Sequence, residues 1–441
     1  MKTLRPFAGL LILPILFACP SLATIPVGRG EVSIAATLSA TYDSNVSGRR
    51  GAEEDYYGTF APRVSYLRRA GKIEADANVG LSSVRYLDNK QFDSDNPSAN
   101  VALRLAEKSF QNISASISAD YSQTNQVDQD LNERIESDIT TFSGQIGLVT
   151  GARTNFTLHG SFSNAQHSAA GASDQRTLTG GGAFNYSNFL GETTAILSYD
   201  YTESESSGDN LLPPQIDPVT GIPFDPRGVD LDQSSHHFSL GLSRPLYREV
   251  TGRINFGYRI LNRSAAETAA GTTRQTGTTL SATLNGPFLP TRVFPKIKSQ
   301  LSLSYQDATT PGINDDGSKS LTGDMSLSWE ARESTTLSLG LSRTQRLAVT
   351  DVSVVTTSAR ASITQKLRYN LSGSAGVNYD WNSYKGFPRS DEIFSYDGAL
   401  NYDFAGTWTA SASYRYQSSQ SNEAASDYVR HLAILSLGYT F

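Results

Sequence analysis

The sequence predicts an all-β chain whose antiparallel strands close into a membrane-spanning barrel. Three observations support this fold class. Segments that alternate apolar with polar residues recur along most of the chain, the connections between them alternate in length, and aromatic residues gather at segment ends. Because successive side chains of a strand point to opposite faces, each such segment has one side suited to lipid and one suited to water.

The last strand shows the alternation most clearly. Counting back from the terminal Phe441, one face carries Tyr439, Leu437 and Leu435, and the other carries small or polar residues. The same pattern recurs in segments 113–121, 195–202, 254–260, 371–380 and 408–416. A lipid bilayer offers no hydrogen-bond partners to the backbone, so strands cross it only as a closed barrel without free edges.

The connections indicate the strand count and the orientation. Short connections are expected at 68–72, 106–110, 150–154, 187–192, 331–334, 366–369 and 403–406. Long ones are expected at 43–55, 87–96, 123–137, 203–231, 262–274, 307–319 and 417–427. In bacterial barrels the short turns are periplasmic and the long loops extracellular. We expect about 20 antiparallel strands, with 18 as the alternative, and both termini on the periplasmic side.

Aromatic residues predict two belts at the membrane interfaces. One set comes just before long connections: Tyr42, Tyr86, Tyr121, Tyr201, Tyr305, Trp381 and Tyr416. The other set lies beside short turns: Tyr66, Tyr186, Trp329, Tyr402, Trp408 and Tyr439. Strands favour aromatic residues in general, but placement at strand ends favours the belt interpretation.

The N-terminus predicts export. Lys2 and Arg5 precede an apolar run from Phe7 to Ala18, and small residues follow up to Ala23, so residues 1–23 are interpreted as a signal peptide and residues 24–441 as the barrel. Lipidation of Cys19 is the alternative, although its surroundings fit a lipobox poorly. Cys19 is the single cysteine, so the mature protein is expected to contain no disulfide.

Composition excludes several other classes. No segment after the N-terminus approaches eighteen consecutive apolar residues, which excludes a membrane helix. The formal net charge is −6, which argues against nucleic acid as a partner. No cofactor or metal site is expected. The five histidines are not spaced as a recognisable catalytic or metal site, although His236 and His237 leave a hydrolase as a remote alternative.

The candidate functional surface is the lumen wall. Its predicted inward residues are mostly Ser, Thr, Asn and Gly, with sparse charges at Asp120, Asp200, Arg259, Asp380 and Arg415. Hydroxyls and amides offer many weak hydrogen bonds, which suits the passage of sugars and polyols. Twenty strands imply a backbone diameter of ~40 Å, leaving about 20 Å inside. Such a width calls for a plug formed by loops or by a partner.

Two further segments, one rich in glycine and one rich in proline, need separate interpretation. Gly180-Gly181-Gly182 lies within a strand pattern, where a bulge or bend in the wall is expected. The longest connection, Glu203–Leu231, contains five prolines and several acids, and it lies either outside the cell or inside the lumen.

Short motifs resemble a known family. Residues Thr41-Tyr42-Asp43-Ser44-Asn45-Val46 resemble the Tyr-Asp-x-Asn opening of the putative β-barrel porin 2 family, and segments 198–203 and 437–441 are also similar. The resemblance implies an outer-membrane barrel of Gram-negative bacteria associated with exopolysaccharide biosynthesis and export. It carries no catalytic residues.

These observations together predict a non-enzymatic conduit in the outer membrane, for export of exopolysaccharide. A general or solute-selective porin and a closed structural or adhesive surface barrel are the alternatives. Expected partners are outer-membrane lipid, periplasmic polysaccharide-export proteins, the polysaccharide itself and the barrel assembly machinery, which would read Tyr439 and Phe441 as its signal.

Overall fold

Twenty long strands pair with their sequence neighbours in antiparallel fashion, and the first pairs with the last. This computed structural model describes residues 24–440 except 49, 52, 107–109, 111, 129, 132, 170–171, 208–214, 217–222, 225–230, 248, 266–272, 291, 308, 310–318, 351, 405 and 423–425. The pairing of the first strand with the last leaves no free edge, as a strand protein in lipid requires. The prediction of 20 strands is confirmed.

The barrel strands, in chain order, are β1 Gly30–Asp43, β2 Asp55–Arg68, β3 Ile73–Tyr86, β4 Ser94–Leu105, β5 Ile113–Asp128, β6 Glu133–Gly151, β7 Thr154–His167, β8 Asp174–Leu190, β9 Thr193–Ser207, β10 Leu231–Tyr247, β11 Val250–Ala265, β12 Thr273–Asn285, β13 Ile297–Gln306, β14 Ser320–Arg332, β15 Thr335–Leu347, β16 Ser353–Arg368, β17 Leu371–Tyr384, β18 Ser390–Phe404, β19 Trp408–Ser421 and β20 Tyr428–Thr440.

Three shorter features accompany the barrel. Ile25–Val27 pairs with the start of β1, Gln215–Ile216 pairs with Pro223–Phe224, and Lys90–Phe92 forms one 3₁₀ turn. Over the described part of the chain, no helix is long and apolar enough to cross a membrane.

Connections divide between two ends of the barrel. Both termini and the connections from even-numbered to odd-numbered strands lie at one end, here named the turn end; the remaining ten connections lie at the loop end. Each predicted connection overlaps an observed one, but the bounds differ by several residues in places and the expected alternation in length is not strict. Connections 168–173, 348–352 and 385–389 at the loop end are short, whereas 286–296 at the turn end is long.

The β5–β6 hairpin corrects one predicted loop. Residues 123–137 were expected to be a long connection, yet the ladder continues to the pair Asp128 and Glu133. The side chains there are polar, so the apolar alternation ends while backbone pairing does not. Strands need about 9–11 residues to cross the bilayer. The 16 residues of β5 and 19 of β6 therefore extend beyond it.

Apolar side chains cover the outer face of the wall. On β17, Val377, Tyr379 and Trp381 are 47%, 41% and 48% exposed, and Asn378 and Asp380 alternate with them on the other face. Exposed apolar residues at every second position are what a lipid-facing strand requires. The inward face is correspondingly polar.

The predicted aromatic belts fit this outer face, with one correction. Tyr86 is 2% exposed, because the outward residues of β3 are odd-numbered, such as Val79 and Leu81. Its ring lies 4.7 Å from that of Tyr57, inside the loop end, and the guanidinium of Arg134 lies over it at 5.5 Å. Tyr86 therefore belongs to the interior of the mouth and not to a membrane belt.

Candidate functional site

The five predicted lumen residues occupy the inward face of their strands. Each alternates with outward apolar neighbours; Asp200, for example, lies between Tyr199 and Tyr201. Asp120 accepts a hydrogen bond from Asn100, and Asp380 accepts one from Ser358 Oγ at 2.5 Å. Arg259 Nη1 donates to Gln306 Oε1 at 3.3 Å, and Arg415 lies directly opposite Asp397 in the ladder. Most of these charges thus have polar neighbours on adjacent strands.

Asp200 forms a cluster with two histidines that sequence reasoning did not assign to the lumen. Its Oδ1 lies 3.1 Å from His159 Nε2, and its Oδ2 lies 3.9 Å from His237 Nδ1. His237 Nε2 is in turn 2.8 Å from Thr279 Oγ1. The side chains are about one-third exposed, at 41%, 31% and 34% for His159, His237 and Asp200, so they remain accessible from the lumen.

The glycine run lies within this cluster and shows no bulge. The ladder on both sides of β8 is continuous through Gly180, Gly181 and Gly182, contrary to the expected irregularity. A Cβ on Gly181 would lie 2.5 Å from Asp200 Oδ1 and 2.8 Å from His159 Cε1. Gly181 is therefore needed because two side chains from the flanking strands meet over its backbone.

A second charged cluster lies at the turn end. Arg104 Nε is 2.5 Å from Glu74 Oε2, and Arg69 Nη1 is 3.3 Å from the same oxygen. Arg69 Nη2 lies 4.0 Å from Asp76 Oδ2. These residues lay outside the sequence prediction because charges beside a turn are ordinarily solvated. The sequence could have indicated this cluster, because Glu74 and Arg104 occupy inward-facing positions in the alternation of their strands.

A hairpin tip crosses the mouth of the barrel at the loop end. Asp130, in the β5–β6 connection, is 7% exposed. Its carboxylate accepts two hydrogen bonds from Arg346 on β15, at 2.7 and 2.9 Å, and one from the Tyr384 hydroxyl at 3.0 Å. β5 and β15 are ten strands apart in a ring of twenty, so these contacts join opposite walls.

The network around Asp130 also includes residues of the β17–β18 connection, β18 and β19. Arg389 Nη1 donates to the Asp130 carbonyl at 2.7 Å, and Arg389 also pairs with Asp391 at 2.7 Å. Asp391 further accepts hydrogen bonds from the Tyr384 hydroxyl and from Ser421 Oγ. The network has two arginines and two aspartates, so its formal charges balance. Balanced, hydrogen-bonded pairs are the form in which buried charges are tolerated.

Other connections pack beside it. The Ser173 backbone N–H donates to the Val349 carbonyl at 2.6 Å, which joins connections 168–173 and 348–352. Ile135, Ala169 and Ala172 are buried there. We name connections 44–54, 129–132, 168–173, 348–352 and 385–389 together the loop-end cap. Its apolar clusters are small, and its polar contacts are numerous.

The Tyr-Asp-x-Asn motif lies where the barrel closes. Asp43, fully buried, accepts hydrogen bonds from Arg430 on β20, the shortest at 2.6 Å. Asn45 Oδ1 accepts from Ser47 Oγ and from the Gly48 N–H, which turns the chain inward. The motif therefore joins the first strand to the last and starts the first part of the cap.

Two sequence predictions fall largely outside the described residues. In the Glu203–Leu231 connection, stretches 208–214, 217–222 and 225–230 lie outside them, as does Phe441. Tyr439, the other residue of the expected assembly signal, faces outward with its ring 4.6 Å from that of Trp408. That position is compatible with a membrane-interface belt.

His236 and His237 do not form one site in the described part of the chain. His236 faces outward, 2.9 Å from the Tyr199 hydroxyl, whereas His237 faces the lumen. Adjacent strand residues lie on opposite faces, so the two cannot act on one substrate. Within the described ranges, no group of three or more His, Cys, Asp or Glu residues is arranged to hold a metal ion.

Comparisons with known proteins agree with this fold. Residues 302–441 match the family described as "Putative beta-barrel porin 2", which confirms the family resemblance over this part of the chain. No curated protein matches the sequence.

Solved structures share the architecture at very low sequence identity. The siderophore receptor PiuA from Acinetobacter baumannii is 9% identical, with a TM-score of 0.51 over 95% of this chain and 82% of that one. The ferric-catecholate import receptor Fiu from E. coli K12 is 8% identical, with a TM-score of 0.53 over 95% and 82%. The ferric citrate transporter FecA is 9% identical, with a TM-score of 0.54 over 95% and 79%. These likenesses show the fold, and the chain is a porin-like outer-membrane β-barrel.

Proposed function

We propose that this barrel is a gated conduit through which an exopolysaccharide leaves the cell. The observation that carries the proposal is the combination of a hydroxyl-rich lumen with a cap built from polar contacts. A polysaccharide needs many weak hydrogen-bonding positions and no single strong trap. The resemblance of residues 302–441 to a porin family adds support for transport.

The charges of the lumen favour an uncharged cargo. Asp200 is paired with His159, Glu74 with Arg104, and Asp380 with Ser358. Arg104 neutralises the charge of Glu74, and hydrogen-bond partners occupy oxygens of Asp200 and Asp380, so these groups offer an ionic solute fewer free contacts. Between them the wall presents Ser and Thr hydroxyls, such as the Ser118–Ser143 pair at 2.7 Å.

The cap distinguishes this proposal from the two alternatives. A general porin would conduct continuously, whereas the Asp130 network joins opposite walls across the mouth. A permanently closed surface barrel would be expected to fill its mouth with a large apolar core. The apolar clusters at the cap are instead small, such as Ala348 with Val354 and Tyr384 of the adjoining strand ends, and they lie beside ion pairs that water can replace. A cap of this composition is suited to opening.

Passage requires partners on the periplasmic side. The outer membrane supplies no energy source to drive a polymer through the barrel. Periplasmic export proteins would therefore deliver the polymer to the turn end. The barrel assembly machinery would insert the chain by reading the terminal strand, with Tyr439 and Phe441 as its signal. Lipid of the outer membrane would contact the apolar outer face.

The test is a clean deletion of the gene with complementation from a plasmid. The expected result is loss of secreted polymer together with accumulation of polymer in the periplasm. Unchanged secretion would overturn the export proposal. Single-channel conductance of the purified barrel would then separate the alternatives, because an open porin conducts steadily and a closed surface barrel does not.

A further inference from the structure

The inner wall carries a polar row beside the turn end. Glu74, Arg104, Ser116, Gln145 and His159 are directly opposed in successive ladders of β3 to β7. Neighbouring strands are about 4.8 Å apart, so each strand offers one polar side chain at that interval. This interval is comparable to the length of one hexose unit in a chain.

This row lines a pocket of about 570 Å³, here named the turn-end pocket. Its remaining polar lining includes Arg69, Asp76, Ser118, Ser143 and Ser161. It lies where the lumen meets the periplasmic turns, because Arg69 belongs to the β2–β3 connection and Glu74 is the second residue of β3. A polymer arriving from the periplasm would meet this pocket on entering.

The charges of the pocket indicate what it accepts. Two arginines, Arg69 and Arg104, converge on Glu74, and Arg69 also lies near Asp76. Two cations and two carboxylates leave no net charge to attract an anion. The side chains remain accessible, at 55% exposure for Arg104 and 48% for Arg69. Accessible carboxylate oxygens accept hydrogen bonds from hydroxyls, while guanidinium and amide N–H groups donate to ring and hydroxyl oxygens.

We propose that the turn-end pocket is a binding subsite for a neutral oligosaccharide segment, the first that the exported chain contacts. This inference rests on the proposed export function and names the part of the lumen that recognises the cargo. A charged uronate segment would bring its carboxylate next to Glu74 and Asp76. The subsite should therefore favour neutral sugars over acidic ones.

A matched control exists on the same two strands. Arg85 on β3 pairs with Asp95 on β4, its Nη2 donating to both carboxylate oxygens at 2.8 Å, on the outward face and toward the loop end. Replacing this pair removes the same two charges from the same hairpin without altering the pocket.

The experiment measures binding to the purified full chain in detergent by calorimetry. The probes are neutral oligosaccharides obtained by partial hydrolysis of the polymer that the same cells secrete, and trigalacturonate is the acidic comparator. The variant Glu74→Gln/Arg104→Gln should bind the neutral probe at least tenfold more weakly, while Arg85→Gln/Asp95→Asn should bind as the unaltered chain does. Equal binding by both variants, preference for trigalacturonate, or no binding by the unaltered chain would overturn the proposal.

Failure of this inference can be told apart from failure of the export proposal. If deletion abolishes secretion but the Glu74→Gln/Arg104→Gln strain secretes normally and its protein binds normally, export stands and the subsite is wrong. If deletion leaves secretion unchanged, the export proposal fails regardless of the binding result. Barrel abundance in the outer membrane, measured in every strain, excludes loss of folding as the cause.

Discussion

Asp43 at the end of the first barrel strand and Arg430 on the last strand form a buried ion pair, with Arg430 Nη2 2.6 Å from Asp43 Oδ2. Asp43 is fully buried and the Arg430 side chain is 17% exposed. The β1–β20 ladder itself ends at Asp43, opposite Leu432. The pair therefore reinforces the closure of the ring at the end of this ladder, beside the backbone hydrogen bond from Ser44 to His431, and fixes where the first loop begins.

Removing one partner of this pair should destabilise the barrel. Asp43→Asn leaves the Arg430 charge buried without compensation, and breaking a buried pair costs about 3–5 kcal/mol. We expect a lower urea midpoint in lipid vesicles. Arg85→Gln, which breaks an exposed pair, should shift it by less than about 1 kcal/mol. The double variant Asp43→Asn/Arg430→Gln should recover part of the lost stability. A double variant that loses as much unfolding free energy as the two single variants combined would contradict the pairing.

The sequence was informative about this region but not about its role. The motif containing Asp43 and Asn45 was recognisable, and Tyr42, which was predicted to lie in a belt, faces outward with Ile34 and Leu38. The partner Arg430 is 387 residues away and has no periodic signature. Alternation reports on which face a residue lies, and it carries no information on which residues meet at the ring closure.

The cap shows the same limit more strongly. Asp130 and Arg346 are 216 residues apart and lie beyond the apolar alternation, where loop charges are ordinarily interpreted as solvated. The expectation of a plug came from the size of the lumen alone. Likewise, Tyr86 was placed in a belt because it precedes a loop, although its parity on β3 turns it inward. The alternation of faces along β3 therefore indicates the orientation of Tyr86 better than its position before a loop does.

The Asp130 carboxylate should hold the mouth closed. In Asp130→Asn the Arg346 guanidinium loses the carboxylate that pairs with it across the mouth, and the Tyr384 hydroxyl loses a charged acceptor. We expect a several-fold higher mean conductance in planar bilayers and greater uptake of large hydrophilic antibiotics by cells. Asp88→Asn, at an exposed position in another outer connection, is the control and should behave as the unaltered protein. Unchanged conductance in Asp130→Asn would show that this network is not the closing element.

A cross-link should lock the cap. The backbone hydrogen bond from Ser173 to Val349 at 2.6 Å places the two residues within reach of a disulfide. The variant Ser173→Cys/Val349→Cys has no competing thiol in the predicted mature chain, because the one cysteine of the full sequence, Cys19, lies in the predicted signal peptide. Under oxidising conditions we expect secretion of polymer to stop, and a reductant should restore it.

The single-cysteine variants provide the control for this experiment, because neither can form the intramolecular bond. Both should secrete normally with and without reductant. Normal secretion by the oxidised double variant, with the disulfide verified by mass spectrometry, would show that polymer leaves without separation of these two connections.

Gly181 and Gly180 offer a test of the lumen cluster on adjacent residues. A Cβ at position 181 would lie 2.7 Å from the Tyr199 carbonyl oxygen and 2.5 Å from Asp200 Oδ1, whereas a Cβ at 180 meets nothing within 4 Å. Because a backbone atom is among the clashes, rotation of side chains alone cannot relieve them. Gly181→Ala should therefore cost about 1–3 kcal/mol of unfolding free energy, while Gly180→Ala, facing lipid, should be neutral. The urea midpoint of each variant in vesicles measures the difference, and equal midpoints would mean that the wall at β8 yields to the added methyl group.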